Sequence, residues 1–319
     1  MRSLLKLQGI DIYKLEKFNK GINNTVFKIT DQHNHIYVLK MYPKPNDLDP
    51  RDRCKSESLF LNYISNCGFA FSPKLIYSDL LNHFNILSWI DGKEVFELNT
   101  KDIDSIISFI AILNLPDNIS KHSFMLPNAS GACIDNQSLP ITIKSMLSKI
   151  QDAQVANDSL SLQIQNWIHD VLAPLTHYRL KKYENLLSKV PLHTSYACTY
   201  CSPSDVGIHN MLRFGSKLYF FDFEYAGLDD ISKLSADWVT QPEYPFTQTQ
   251  ELHFLTTLKN TLNVSDKWHS RYYLIKPLVT LKWALIMLRP YRLNKINTQT
   301  WNKIIEYFDS SINNHDFNL

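Results

Sequence analysis

The chain has 319 residues, 44% of them hydrophobic and 20% charged, with a formal net charge of +2. That length allows two domains or one large α/β unit, and the composition excludes a disordered chain. The near-neutral balance gives no reason to expect nucleic acid or an acidic membrane as partner.

The first residues have too short an apolar core for a secretory signal. From residue 21 the chain reads Gly-Ile-Asn-Asn-Thr, a polar turn ahead of two β-rich runs at residues 25–30 and 36–41. The polar stretch between these runs makes them a hairpin. A proline-rich loop leads to a helix over residues 51–66, where Leu59, Phe60, Tyr63 and Ile64 recur at helical spacing and Gly68 ends the run. Residues 75–78 and 85–90 are two further strands. The β-rich part closes near Asp91-Gly92.

The remainder reads as mainly helical. Residues 102–113 are periodic, 116–140 form a polar connection, and 160–187 carry a long amphipathic pattern divided by Pro174. A second hairpin covers 211–223. From residue 251 the chain is helical again, with Leu278, Leu281, Leu285 and Leu288 on one face. Residues 272–288 are the most apolar long segment, but Lys276, Pro277 and Lys282 interrupt it, so no membrane span is expected. Five cysteines, an odd and scattered set, point to reduced thiols in a cytoplasm. Cys198 and Cys201 lack a second close Cys/His pair for zinc and read as small buried residues.

Chemistry concentrates between residues 202 and 227. Asp205 is followed five positions later by Asn210, and Asp222 comes after the next apolar strand. This is the spacing of a kinase catalytic loop and its metal-binding loop. Phosphoryl transfer passes through a loose transition state, so the protein has mainly to position groups and neutralise charge. Asp205 is the candidate base, and Asn210 and Asp222 offer the oxygen ligands that magnesium prefers. Lys40, at the end of the second strand, is the candidate phosphate-holding lysine, with Glu57 on the following helix as its acidic partner. Gly21, Asn23, Asn24 and Thr25 would cover the phosphates. Ser88, Trp89 and Ile90, in the run that ends the β-rich part, would offer backbone to an adenine. His193 and His209 read as structural, and Trp268 and Trp283 as core.

This set resembles the aminoglycoside phosphotransferase and choline kinase-like small-molecule kinases. The resemblance runs from about Phe18 to Trp238 and rests on Lys40, Glu57, the Trp-Ile-Asp-Gly run, Asp205 with Asn210, and Asp-Phe-Glu at 222–224. The stretch Ser-Pro-Ser-Asp-x-Gly-x-His-Asn also looks like a bacterial branch of that family. The resemblance implies an α+β, protein-kinase-like fold in two lobes: a small β-rich N-lobe with one helix, residues 1–91, and a larger, mainly helical C-lobe, residues 92–319. It implies ATP or GTP as donor, Mg2+, and a small hydroxylated acceptor; it leaves the oligomeric state open.

Two departures matter. The family usually has His-Gly-Asp where this chain has Pro203-Ser204-Asp205, which removes an imidazole that braces the loop and a backbone donor. The absence of an Ala-Pro-Glu segment argues against a peptide acceptor. Residues 251–319 hold nine Lys/Arg against five Asp/Glu. In this family the C-terminal helices help form the acceptor pocket, so the excess favours a neutral or anionic acceptor such as a sugar. The alternatives are a pseudokinase that binds nucleotide without transfer, and an antibiotic phosphotransferase.

Overall fold

The computed structural model describes residues 10–18, 24–46, 49–187, 199–264 and 266–313. Two compact units divide the chain: Met1–Ser130 with Cys201–Leu228, and Gly131–Tyr200 with Asp229–Leu319. The expected lobe boundary after Asp91 falls inside the first unit. The reason is that the loops around Asp205 and Asp222 pack with the sheet and helices that precede residue 130.

The first unit is built on a five-stranded antiparallel sheet. Strands β1 (Ile12–Phe18), β2 (Thr25–Asp31), β3 (Ile36–Met41), β4 (Leu75–Asp79) and β5 (Phe84–Ser88) lie in the order β1-β2-β3-β5-β4. The expected hairpin is β2–β3, with Val26 opposite Lys40 and Phe27 opposite Leu39. Strand alternation then assigns opposite faces to neighbours in β3. Leu39 joins Ile10, Ile29, Phe84 and Ile86 in an apolar cluster, whereas Lys40 points to the other face. Sequence reading misses β1, because six of its seven side chains are exposed and it carries no apolar alternation.

Helix α1 (Arg53–Asn66) follows the proline-rich loop. The Asp52 carboxylate accepts from the Lys55 amide and starts it. Its end is closed at Gly68, whose φ of +73° only glycine adopts freely. Helix α2 (Thr100–Leu113) opens with a reciprocal capping box between Asn99 and Asp102. The connection expected to be loop contains α3 (Pro116–His122), where Pro116 sits in the first turn and costs no hydrogen bond there.

Strand β6 (Lys93–Glu94) pairs with β8 (Met211–Phe214), and β8 pairs with β9 (Lys217–Phe220) as the second expected hairpin. A short strand, β7 (Tyr200–Ser202), leads into the Asp205 loop and pairs with β10 (Gly227–Asp229). An aromatic layer fills the space behind these loops: Phe109 stacks on Phe220 at 4.4 Å, and Phe60 lies 5.2 Å from Phe223.

The second unit is helical: α4 (Ser138–Gln151), α5 (Ser159–Trp167), α6 (Ala173–Leu187), α7 (Ile231–Thr240), α8 (Gln248–Leu262), α9 (Asp266–Met287), α10 (Arg289–Arg292) and α11 (Thr298–Tyr307). The amphipathic stretch at 160–187 is divided, as expected, by a π-helical turn at Ile168–Leu172 just before Pro174. All ten residues of α7 are buried, and α9 packs along it. Among the described residues no helix is long and apolar enough to cross a membrane.

Gly227 is where the chain leaves the Asp222 loop. A Cβ there would stand 2.2 Å from the Pro127 carbonyl oxygen and 2.7 Å from the Ala129 nitrogen. The close approach lets Leu228 donate to Pro127 and accept from Ala129. Gly227→Ala is therefore expected to cost about 1–3 kcal/mol by overpacking, read as a lower urea midpoint at unchanged slope.

Candidate active site

Lys40 lies in β3 with its side chain 7% exposed. Its Nζ stands 2.6 Å from Glu57 Oε2 on α1, 2.5 Å from Asp222 Oδ1, and 3.9 Å from Glu224 Oε2. Burial opposes its charge, but the carboxylates of Asp222, Glu57 and Glu224 outweigh burial and hold the ammonium above its usual range. Glu57 is itself fully buried and fixed: Tyr42 donates to Oε2 at 2.6 Å, the Phe223 amide to Oε1 at 3.3 Å, and Asn85 holds the Tyr42 hydroxyl at 3.0 Å. The expected Lys40–Glu57 pair is present, with Tyr42 and Asn85 as supports that sequence spacing does not mark.

The second component is the loop that carries Asp205. Asn114, at the end of α2, grips the Cys201 backbone twice: its side-chain oxygen accepts from the Cys201 amide at 2.7 Å, and its Nδ2 donates to the Cys201 carbonyl at 3.1 Å. Ser204 then adopts φ +65°, a left-handed conformation costly for a residue with a Cβ. Its amide donates to Ser202 Oγ at 3.1 Å and its hydroxyl to the Ser130 carbonyl at 3.1 Å. Glycine would reach that conformation without strain. Asn210 Nδ2 donates to the Asp205 carbonyl at 3.2 Å, which closes the loop and leaves the side-chain oxygen as its metal-suited end. His209 is not packed in a core. Its ring is half exposed, with Nε2 3.7 Å from Asp205 Oδ1.

The hairpin register brings the third component into place. Met211 pairs with Phe220, and the Phe221 amide donates to the Asn210 carbonyl at 3.1 Å, so Asp222 emerges one residue beyond Asn210. Asp222 is also left-handed, with φ +68°. Glu224, 2% exposed, receives Asn24 Nδ2 on Oε2 at 2.5 Å and faces Arg53 Nη1 from Oε1 at 3.4 Å. Burial pushes the Glu224 carboxyl above its usual range, against the pull of Lys40. Arg53 and the structural use of Glu224 are the residues sequence reading missed. Their one signal is that Arg53 lies one helical turn before Glu57.

Other expected residues divide. Thr25 opens β2 opposite Met41. Ser88 belongs to the sheet, its amide donating to the Lys74 carbonyl at 2.9 Å, while Trp89 and Ile90 lie past the end of β5. The Trp89 ring stacks on Phe18 at 5.9 Å, with Lys28 Nζ 4.8 Å above it. Gly21, Asn23, His193 and Cys198 lie outside the described residues. Trp268 and Trp283 are core residues, 4% and 8% exposed.

The donors near Asp222 are oxygens, which suits a hard divalent cation. Among the described residues no group of three or more His, Cys, Asp or Glu could hold a metal by itself. Magnesium does not require one, because it keeps waters and substrate phosphates as ligands.

In the second unit, the basic excess of the C-terminal region is largely paired or turned outward. Arg271 Nε meets Asp230 at 2.7 Å, Lys276 meets Glu251 at 2.6 Å, and Lys282 binds Asp237, which also accepts from Lys233 at 2.8 Å. Lys267, Arg289, Arg292, Lys295 and Lys303 are exposed. Arg271, Lys276 and Lys282 are therefore offset by carboxylates, which weakens the argument from the count of charges from residue 251 onward.

No protein-family model matches the sequence, and no curated protein matches it. Solved structures do. The chain is similar to a spectinomycin phosphotransferase, APH(9)-Ia, determined with ADP and spectinomycin, at TM-score 0.62 and 15% identity over 97% of this chain and 92% of that one. An ethanolamine kinase from Plasmodium vivax matches at TM-score 0.59 and 14% identity, over 93% and 81%. A macrolide 2'-phosphotransferase from Brachybacterium faecium matches at TM-score 0.59 and 11% identity, over 97% and 96%. At these identities the likeness establishes the fold: α+β and protein-kinase-like, with a β-sheet N-lobe and a mostly helical C-lobe.

Ser204 provides a direct test of the loop. Ser204→Ala keeps the left-handed strain and loses the bond to Ser130, so it should cost about 1–2 kcal/mol. Ser204→Gly gives up the same bond but relieves about 1–2 kcal/mol of backbone strain, and should melt above Ser204→Ala in calorimetry.

Proposed function

We propose that this protein is a small-molecule kinase that transfers the γ-phosphate of ATP to a hydroxyl group of a small acceptor. The observation that carries the reading is the buried Lys40 ammonium held between Glu57 and Asp222. A lysine fixed in this way presents a positive charge to phosphates without losing side-chain entropy when they bind. The fold shared with proteins solved with ADP and AMP supports a nucleotide donor.

Asp222 and Asn210 would hold Mg2+, which neutralises charge on the transferred phosphoryl group. Asp205, whose backbone carbonyl is tied to Asn210, would orient the acceptor hydroxyl and take its proton. Asn24 would lie against the phosphates, and the backbone of Trp89 and Ile90 against the base. The pseudokinase alternative rests on Pro203-Ser204 and on a phosphate-covering turn, Gly21-Ile-Asn-Asn-Thr, that holds one glycine. Against it stand Asn114, Ser202, Ser130 and Asn210, which brace the Asp205 loop by hydrogen bonds independent of the missing imidazole. A sugar acceptor and an antibiotic acceptor stand level, since the charge argument for the former is weakened by the pairing of Arg271, Lys276 and Lys282.

Asp222→Ala is expected to abolish magnesium-dependent ATP binding, measured by calorimetry. Asp205→Ala should retain that binding while losing about 10²–10⁴-fold in turnover. The acceptor is found by ATP consumption across sugars, amino alcohols, aminocyclitols and macrolides. Wild-type turnover by Asp222→Ala would overturn the assignment, and ATP binding without turnover on any acceptor class would favour the pseudokinase.

A further inference from the structure

Arg53 has no part in the phosphoryl-transfer scheme above, yet it is 7% exposed and engaged on three sides. Its Nε donates to Asp49 Oδ2 at 3.0 Å, its Nη1 faces Glu224 Oε1 at 3.4 Å, and its guanidinium lies 5.0 Å from the centre of the Tyr225 ring. One helical turn later, Glu57 accepts from the Phe223 amide at 3.3 Å. Just before the helix, Arg51 Nη1 reaches the Tyr225 carbonyl at 3.5 Å. The N-terminal turn of α1 and its approach therefore hold residues 223, 224 and 225 in succession.

Those residues follow Asp222, whose left-handed backbone must be maintained by its surroundings. Glu224 is also 3.9 Å from Lys40, so a Glu224 released from Arg53 would be drawn to the ammonium that the phosphates need. We propose that Arg53 is a positioning residue of the metal-binding loop. It neutralises Glu224 and stacks on Tyr225, which keeps Asp222 in its left-handed conformation and leaves Lys40 to the nucleotide. This role rests on the kinase reading for its consequence, but the clamp itself can be tested without nucleotide.

Melting curves without nucleotide come first, on wild type, Arg53→Met, Glu224→Gln and the double variant. Arg53→Met strips the buried Glu224 Oε1 of its cation and leaves that carboxylate to Asn24 and the more distant Lys40, so it should melt below wild type. Adding Glu224→Gln should restore part of the loss. Strictly additive shifts would overturn the clamp. ATP binding is then titrated at several magnesium concentrations. Removing an outer partner of a ligand-bearing loop typically costs about 10–100-fold in affinity, and that fall is expected for Arg53→Met in the presence of magnesium. The KM for ATP should rise by more than kcat falls. Arg53→Lys keeps the charge but loses the planar stack, so it should fall between the two, and it remains informative if Arg53→Met does not fold. A folded Arg53→Lys or Arg53→Met with wild-type magnesium dependence would overturn the positioning role alone. A wild-type protein that binds no ATP with magnesium would overturn the kinase reading, with the melting cycle still deciding the clamp.

Discussion

The first unit is organised around one buried positive charge. Lys40 sits in the sheet, Glu57 on α1, and Asp222 and Glu224 on the loop after β9, so the same ammonium ties three elements together. Burial disfavours a lone ammonium strongly, and only closely placed carboxylates make it tolerable. The dependence runs both ways, because Glu57 is also buried and would be stranded without Lys40. Helix position, sheet register and loop conformation are therefore set jointly. Arg53 brings a second cation to a cluster that otherwise holds one cation against three carboxylates.

Backbone strain sits next to this cluster. Ser204 and Asp222 are both left-handed without being glycine, and each directly precedes or is a residue assigned to the chemistry. Such conformations persist when neighbouring contacts over-determine them. At Ser204 the contacts are side-chain and backbone bonds to Ser202 and Ser130; at Asp222 they are the grips on the following residues by Glu57 and Arg53. Pro203-Ser204 thus hold the Asp205 loop through the bonds of Ser204 to Ser202 and Ser130. The serine supplies a hydroxyl bond that a glycine could not, at the expense of a strained φ.

The second unit shows why charge counting misleads. Arg271, Lys276, Lys282 and Lys233 are largely removed from solvent and matched to Asp230, Glu251, Asp237 and Asp229. Each of these cations is offset locally by its carboxylate, so it adds little to the field that a distant ligand meets. Asp230 and Asp237, the partners of Arg271 and Lys282, precede residue 251, so a tally confined to the C-terminal stretch omits two of the charges that offset it.

Local pattern alone determined much of this protein. The β2–β3 hairpin, α1 and its glycine stop, the β8–β9 hairpin and the local spacing of Asp205, Asn210 and Asp222 follow from periodicity, turn chemistry and spacing, which act between near neighbours in the chain. Strand β1 escaped because its exposed side chains leave no alternation, and α3 because a short polar helix has no periodic face. Tertiary structure decided what spacing cannot encode. Arg53 meets Glu224 across 171 residues, and Asn24 meets the same carboxylate across 200. Whether a buried charge is paired, and which loop must accept a left-handed residue to pair it, depends on contacts that exist only once the chain has folded.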